Sequence, residues 1–154
     1  MIKVAKEQNG NVLTLRFSGS IEETVNLEEM IGPTPDDVRV DCKEVTRINS
    51  VGVKGWIKYF QTLQAKNVRL TFFQCSTAIV EQVNLISNFV CGGTVESIYV
   101  PFACTGCKAE LIALFKVADL NPASVQLPEL KCTKCSGKAV FDDIEEEYFA
   151  FLAR

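Results

Sequence analysis

The chain has 154 residues, room for one ordinary domain or for a domain of about 100 residues with a small module attached. Its residues are 47% hydrophobic and 23% charged, which suits a packed globule, and a formal charge of -3 argues against nucleic acid as the main ligand. There is no histidine, so serine–histidine and cysteine–histidine nucleophile pairs are excluded along with any imidazole base, and the composition points to a non-enzyme.

In chain order, Ile2–Ala5 and Val12–Phe17 alternate apolar and polar residues around Asn9-Gly10, the pattern of a hairpin. Ser18-Gly19-Ser20 breaks that alternation. Val25–Ile31 can form a short helix closed by Gly32-Pro33 and Pro35. Val38–Cys42 is expected to be a strand that runs past Val45 and Ile48 into a polar turn. The residues Val53, Trp56, Ile57, Phe60 and Leu63 then form one stripe at helical spacing. Asn49 and Ser50 stand just before this helix, where a side-chain oxygen can cap its first N–H groups, and the helix should end near Lys66-Asn67. Val68–Cys75 is the next strand, parallel to Val38–Cys42 because a helix joins them. Ser76 caps a further helix carrying Ile79, Val80, Val83 and Ile86. Cys91-Gly92-Gly93 is a turn, and Val95–Phe102 a strand. These elements make an α/β layer of mixed β-sheet and packed helices. No apolar run is long enough to span a bilayer and no leader stands at Met1, so the expected location is cytoplasmic, with no membrane partner.

The stretch I48-N49-S50-V51-G52-V53, set between a strand and an amphipathic helix, resembles the signature turn of the STAS domain, the sulfate-transporter and anti-sigma-factor-antagonist family. The order of elements around it is also similar over roughly residues 1–100, including V-R-L-T-F-F followed by a Ser-capped helix. The resemblance implies a bacterial signalling adaptor that binds a protein partner, such as a kinase-type anti-sigma factor, through Asn49, Ser50, Val51, Gly52 and Lys54. It also implies that Ser50 is a phosphorylation site. The family's usual turn is Asp-Ser-Ser-Gly-Leu-Gly. Here Asn49 replaces the aspartate, Val51 the second serine and Lys54 the second glycine, which makes a phosphorylation-independent scaffold the alternative. A phosphate on Ser50 would sit beside free backbone N–H groups, and a docking partner would have to desolvate its charge. The plainer reading is that Ser50 only caps the helix. Gly52 and Gly55 either bare the backbone to a partner or let the helix pack closely on the sheet.

Residues 101–154 carry the second signature, C104-T-G-C107 and C132-T-K-C135, two C-x-x-C turns with 24 residues between them. This is the zinc-ribbon pattern, and Cys104, Cys107, Cys132 and Cys135 are the expected ligands of one structural Zn²⁺. Four cysteines fill a tetrahedron and leave no open position for a catalytic water. Lys108, Lys131, Lys134 and Lys138 stand near enough in sequence to offset the thiolate charge, and Gly106 and Gly137 should supply the backbone freedom of the turns. A segment of about 54 residues gains little from core burial, whereas zinc contributes about 10–16 kcal/mol in comparable peptides. A dithiol redox pair and a disulfide staple are the competing readings of these cysteines. Cys42, Cys75 and Cys91 have no pairing pattern and should be buried and reduced. Leu111–Val117 is strand-like, and Asp142 or Asp143 can cap a last helix with Ile144, Tyr148 and Leu152 on one face. The acids of that segment form either a solvated face or a docking surface for a basic partner. Nucleic-acid binding by the ribbon is a further alternative, although Pro101–Arg154 holds six Lys+Arg against eight Asp+Glu. A homodimer is compatible with all of these readings.

Overall fold

The computed structural model describes residues 2–22 and 26–153, and within them the chain builds two β-sheets with helices packed against them. In the first sheet, β1 (Lys3–Asn9) and β2 (Val12–Ile21) form the expected antiparallel hairpin, with Gly10 at φ +63° in the turn. β2 runs parallel to β3 (Asp37–Ile48), β3 to β4 (Arg69–Phe73), and β4 to the two-residue β5 (Thr94–Val95).

Two expectations at the ends of these strands need correction. Ser18-Gly19-Ser20 does not end β2; pairing continues through it, with register shifts between Arg16 and Ser18 and between Gly19 and Ser20 where β3 carries the extra residue. β3 likewise does not stop at Cys42. β2 supplies a hydrogen-bonding partner as far as Ile21 opposite Ile48, and Val45 is buried, so the chain stays extended up to Asn49.

The helices follow the apolar periodicity. α1 (Leu27–Ile31) is capped by Asn26, whose side chain accepts from Glu29 N–H at 3.1 Å; the expected first residue of that helix, Val25, lies outside the described residues. α2 (Ser50–Ala65) buries Val53, Trp56, Tyr59, Phe60 and Leu63. Trp56 is the hub of the core. Its ring centroid lies 4.8 Å from Phe60, 5.1 Å from Phe89, 5.3 Å from Phe17 and 5.8 Å from Phe72. Its indole N–H donates to the Phe89 carbonyl at 3.1 Å, so the one polar atom of a fully buried side chain is satisfied. α3 (Thr77–Leu85) is capped by Ser76 as expected.

The second sheet has the order β7-β6-β9-β8, all antiparallel, from β6 (Ser97–Cys104), β7 (Glu110–Lys116), β8 (Leu130–Lys131) and β9 (Lys138–Phe141). β6 ties the two sheets together. Cys75, just past β4, donates to the Ser97 carbonyl at 3.0 Å and accepts from Tyr99 N–H at 2.9 Å, while the Ser97 hydroxyl accepts from Gln74 N–H at 2.7 Å. One hydrophobic core consequently runs from Leu15 and Trp56 through Ile98 and Phe102 to Ala139 and Tyr148.

The C-terminal segment is not the single helix its spacing predicts. α4 (Glu145–Tyr148) is one turn, followed by a 3₁₀ turn at Ala150–Ala153. Asn84 of α3 reaches into the junction, donating to the Tyr148 carbonyl at 2.8 Å and accepting from Phe151 N–H at 2.9 Å, which takes both groups away from a regular helical ladder. Tyr148 and Phe149 are both buried, while Ile144, expected on one face with Tyr148 and Leu152, is 54% exposed. Among the described residues no helix is long and apolar enough to cross a membrane.

Candidate functional site

The four cysteines of the two C-x-x-C turns converge between the second sheet's hairpins. Cys104 ends β6 and Cys107 follows in the tight turn to β7; Cys132 and Cys135 stand in the turn between β8 and β9. Both turns close in the same way. Cys104 N–H donates to the Ala109 carbonyl and Cys132 N–H to the Gly137 carbonyl, and the first cysteine's carbonyl accepts from Lys108 in one turn and from Ser136 in the other. Lys108 and Ser136 take the left-handed conformation, at φ +65° and +61°. The two turns are expected to take that freedom from Gly106 and Gly137, but neither adopts a positive φ. The role of Gly137 is space, whereas a Cβ on Gly106 would meet only ordinary contacts at 3.7 Å. A Cβ on Gly137 would lie 3.1 Å from Cys135 Sγ and 3.2 Å from Cys104 Sγ, where only hydrogen fits comfortably.

The four Sγ atoms all lie within 4.8 Å of one another, with Cys104–Cys135 at 3.4 Å and Cys107–Cys132 at 3.7 Å. None is in a disulfide, Cys104 and Cys132 are buried, and Cys107 and Cys135 are exposed. Backbone N–H groups point at the sulfurs: Gly106 and Cys107 donate to Cys104 Sγ at 3.3 and 3.4 Å, and Lys134 to Cys132 Sγ at 3.4 Å. These donors favour thiolate. The Cys107 N–H is the main cause that draws the Cys104 pKa down to about 6, and the N–H groups of Cys135 and Lys134 lower Cys132. For Cys107 the Ala109 N–H pulls down, but the neighbouring thiols and burial outweigh it and push the pKa up to about 11. So a cluster without an ion holds protons on some sulfurs, and a cation in their midst would displace them. An all-sulfur set of this size could hold a metal ion. Of the lysines expected to offset the charge, Lys138 is engaged elsewhere, with its ammonium 2.9 Å from Glu129.

The second group of predicted residues lies on the N-terminal rim of α2. Asn49 is the cap: its Oδ1 accepts from Gly52 N–H at 2.9 Å, and its Nδ2 donates to the Glu22 carbonyl at 3.1 Å. Ser50 is therefore the first helical residue and not the cap, and its side chain is exposed. Val51, 42% exposed, and Lys54 lie on the same open rim. Gly52 does not. It is buried, and a Cβ there would sit 1.9 Å from the Ile21 carbonyl oxygen, so it seats the helix against the end of β2.

No local sequence pattern announces the feature beside this rim. A cavity of about 440 Å³ opens between α1 and α2, lined by Leu27 and Glu28 on one side and Val51, Lys54, Lys58 and Tyr59 on the other. The Tyr59 hydroxyl is buried and has no hydrogen-bond partner among the described residues. Burial, and to a lesser extent Glu28, push its pKa up to about 12. Tyr59 falls beside the apolar stripe of α2 and reads in sequence as one more core aromatic, so only the packing of α1 marks it out.

The other cysteines behave as expected. Cys42, Cys75 and Cys91 are buried free thiols, and burial raises Cys42 and Cys91. The acidic C-terminal residues Asp142, Asp143, Glu146 and Glu147 border an open groove of about 890 Å³ against α3. No protein-family model matches the chain, and no curated protein matches it.

Proposed function

We propose that the protein is a non-enzymatic signalling adaptor of the STAS type, stapled by one structural zinc ion, that binds a protein partner over the N-terminal rim of α2. The observation that carries this reading is the division of labour at Asn49 and Ser50. Because Asn49 caps the helix, the exposed Ser50 hydroxyl is not needed as its cap, and it stands at the electropositive end of a 16-residue helix beside exposed Val51 and Lys54. A phosphate on Ser50 would meet backbone N–H groups of its own chain and would confront a partner with a charge to desolvate.

The cavity under Val51 and Lys54 supports the second reading, a scaffold that works without phosphorylation. A partner side chain that enters it would pack against Leu27, Val51 and the Tyr59 ring, so docking gains energy whatever the state of Ser50. Ser50→Asp and Ser50→Ala separate the two readings in a binding titration with the partner captured from the native host, a kinase-type anti-sigma factor being the first candidate. The switch requires the Asp variant to bind at least roughly tenfold more weakly with Ser50→Ala within about threefold of wild type, since a buried unpaired charge costs several kcal/mol. Equal binding by both variants supports the scaffold.

Zinc is the reading of the cysteine cluster because four thiolates in two C-x-x-C turns suit a tetrahedral, redox-inert ion and offer no open coordination position. Elemental analysis of protein purified without chelator should give about one zinc per chain. Iron in its place would make the site a rubredoxin-like centre and remove the structural-zinc assignment.

A further inference from the structure

The ribbon sheet leaves one long edge open. β7 is its outermost strand, and all seven of its residues pair with β6 on one side only. The bond from Cys104 N–H to the Ala109 carbonyl sets the phase of that ladder, so Leu111, Ala113 and Phe115 exchange hydrogen bonds with β6. The N–H and C=O groups of Glu110, Ile112, Leu114 and Lys116 then point away from the sheet, and no described residue bonds them. The side chains of these four residues share the outer face, where Ile112 is 61% and Leu114 48% exposed, with Val140 of β9, 40% exposed, on the same face. A flat, apolar open edge of this kind is normally blunted, because it invites another strand.

We propose that this edge pairs with β7 of a second copy of the chain, antiparallel about a two-fold axis through Ala113. The strand E-L-I-A-L-F-K is complementary to itself in that register. Glu110 falls opposite Lys116 of the second copy, Ile112 opposite Leu114, and Leu111 opposite Phe115, with the small Ala113 against its own copy at the axis. The same register places the free backbone groups of Glu110, Ile112, Leu114 and Lys116 in the hydrogen-bonded positions, so every one finds a partner. The charged ends also select this arrangement: parallel pairing in register would set Glu110 against Glu110 and Lys116 against Lys116. One continuous sheet then runs through both copies, with the two cysteine clusters at a distance fixed by the sheet.

Sedimentation of the 154-residue, metal-loaded chain over a wide concentration range tests this. The wild type should dimerise. Ile112→Pro should be monomeric with unchanged metal content, because the missing N–H is one that β6 does not use. Glu110→Lys and Lys116→Glu should each weaken the dimer roughly tenfold, and the double exchange E110K/K116E should return it to within about threefold of wild type, since each dimer contains both pairs. If Ile112→Pro does not fold, the charge series decides alone. A chain that stays monomeric throughout, a dimer indifferent to Ile112→Pro, or single reversals that the double exchange does not repair would each overturn the proposal.

Discussion

Tyr59 shows how a single polar atom can be set against its surroundings. Tyr59 is 5% exposed in the wall of the α1–α2 cavity, and its hydroxyl meets no described partner. A buried donor without an acceptor costs about 1–3 kcal/mol, so Tyr59→Phe should hold or raise stability, by up to about that much, in urea denaturation at neutral pH. The hydroxyl also has a signature in alkali. Its pKa is about 12 in the folded chain against 10.0 ordinarily, so the folded state resists ionisation that the unfolded state accepts. Its contribution is complete below pH 10 and is lost as pH rises towards 12. Tyr148, raised as well by burial, adds to the same alkaline loss. The difference between wild type and Tyr59→Phe isolates Tyr59: the variant should lose less stability over that window, and identical alkaline slopes would show that Tyr59 does not resist ionisation in the fold.

At the level of elements, the seat of α2 on β2 decides where the Ser50 rim stands. The helix begins at the point where β3 ends, and Asn49 N–H donates to the Ile21 carbonyl at 3.2 Å, locking the two together. Gly52 makes that approach possible. In an exposed helix Gly→Ala gains about 1 kcal/mol. Here the methyl carbon would lie 1.9 Å from a backbone oxygen, which cannot swing aside as a side chain would. Gly52→Ala should therefore destabilise by roughly 2 kcal/mol or more, the opposite sign to the helix propensity, as read by chemical denaturation. The C-terminal segment follows similar logic. Its acids suit a helix start, but one turn of helix is all that forms once Asn84 claims the Tyr148 carbonyl and the Phe151 N–H.

For the molecule as a whole, the cysteine cluster and the α/β layer share a strand. β6 carries Cys104 at one end, the Cys75 contacts at the other, and the buried Ile98, Val100 and Phe102 between them. Stripping the ion would release hairpins whose second half consists of a two-residue and a four-residue strand, too short to persist alone. Because Ala139, Tyr148 and Phe149 belong to the common core, that loss should reach the first sheet. Chelation is expected to lower the melting temperature of the entire chain in a single transition, followed by circular dichroism and by tryptophan fluorescence of Trp56, which lies in the α/β layer. Two separate transitions, with the tryptophan signal unmoved, would mean that the halves fold independently.

The sequence alone determined the features that local spacing encodes. The Asn9-Gly10 hairpin, the cap at Ser76, the stripe of α2 and the pairing of cysteines three residues apart all depend on neighbours along the chain, so each can be read without knowing what lies opposite. Tertiary structure decided whatever depends on residues far apart. The length of β3 comes from its partner β2, the burial of Gly52 from Ile21, the break after Tyr148 from Asn84, and the cavity at Tyr59 from the docking of α1. Hydrogen-bond partners and packing space are properties of the assembled core, and no local pattern specifies which distant group will supply them.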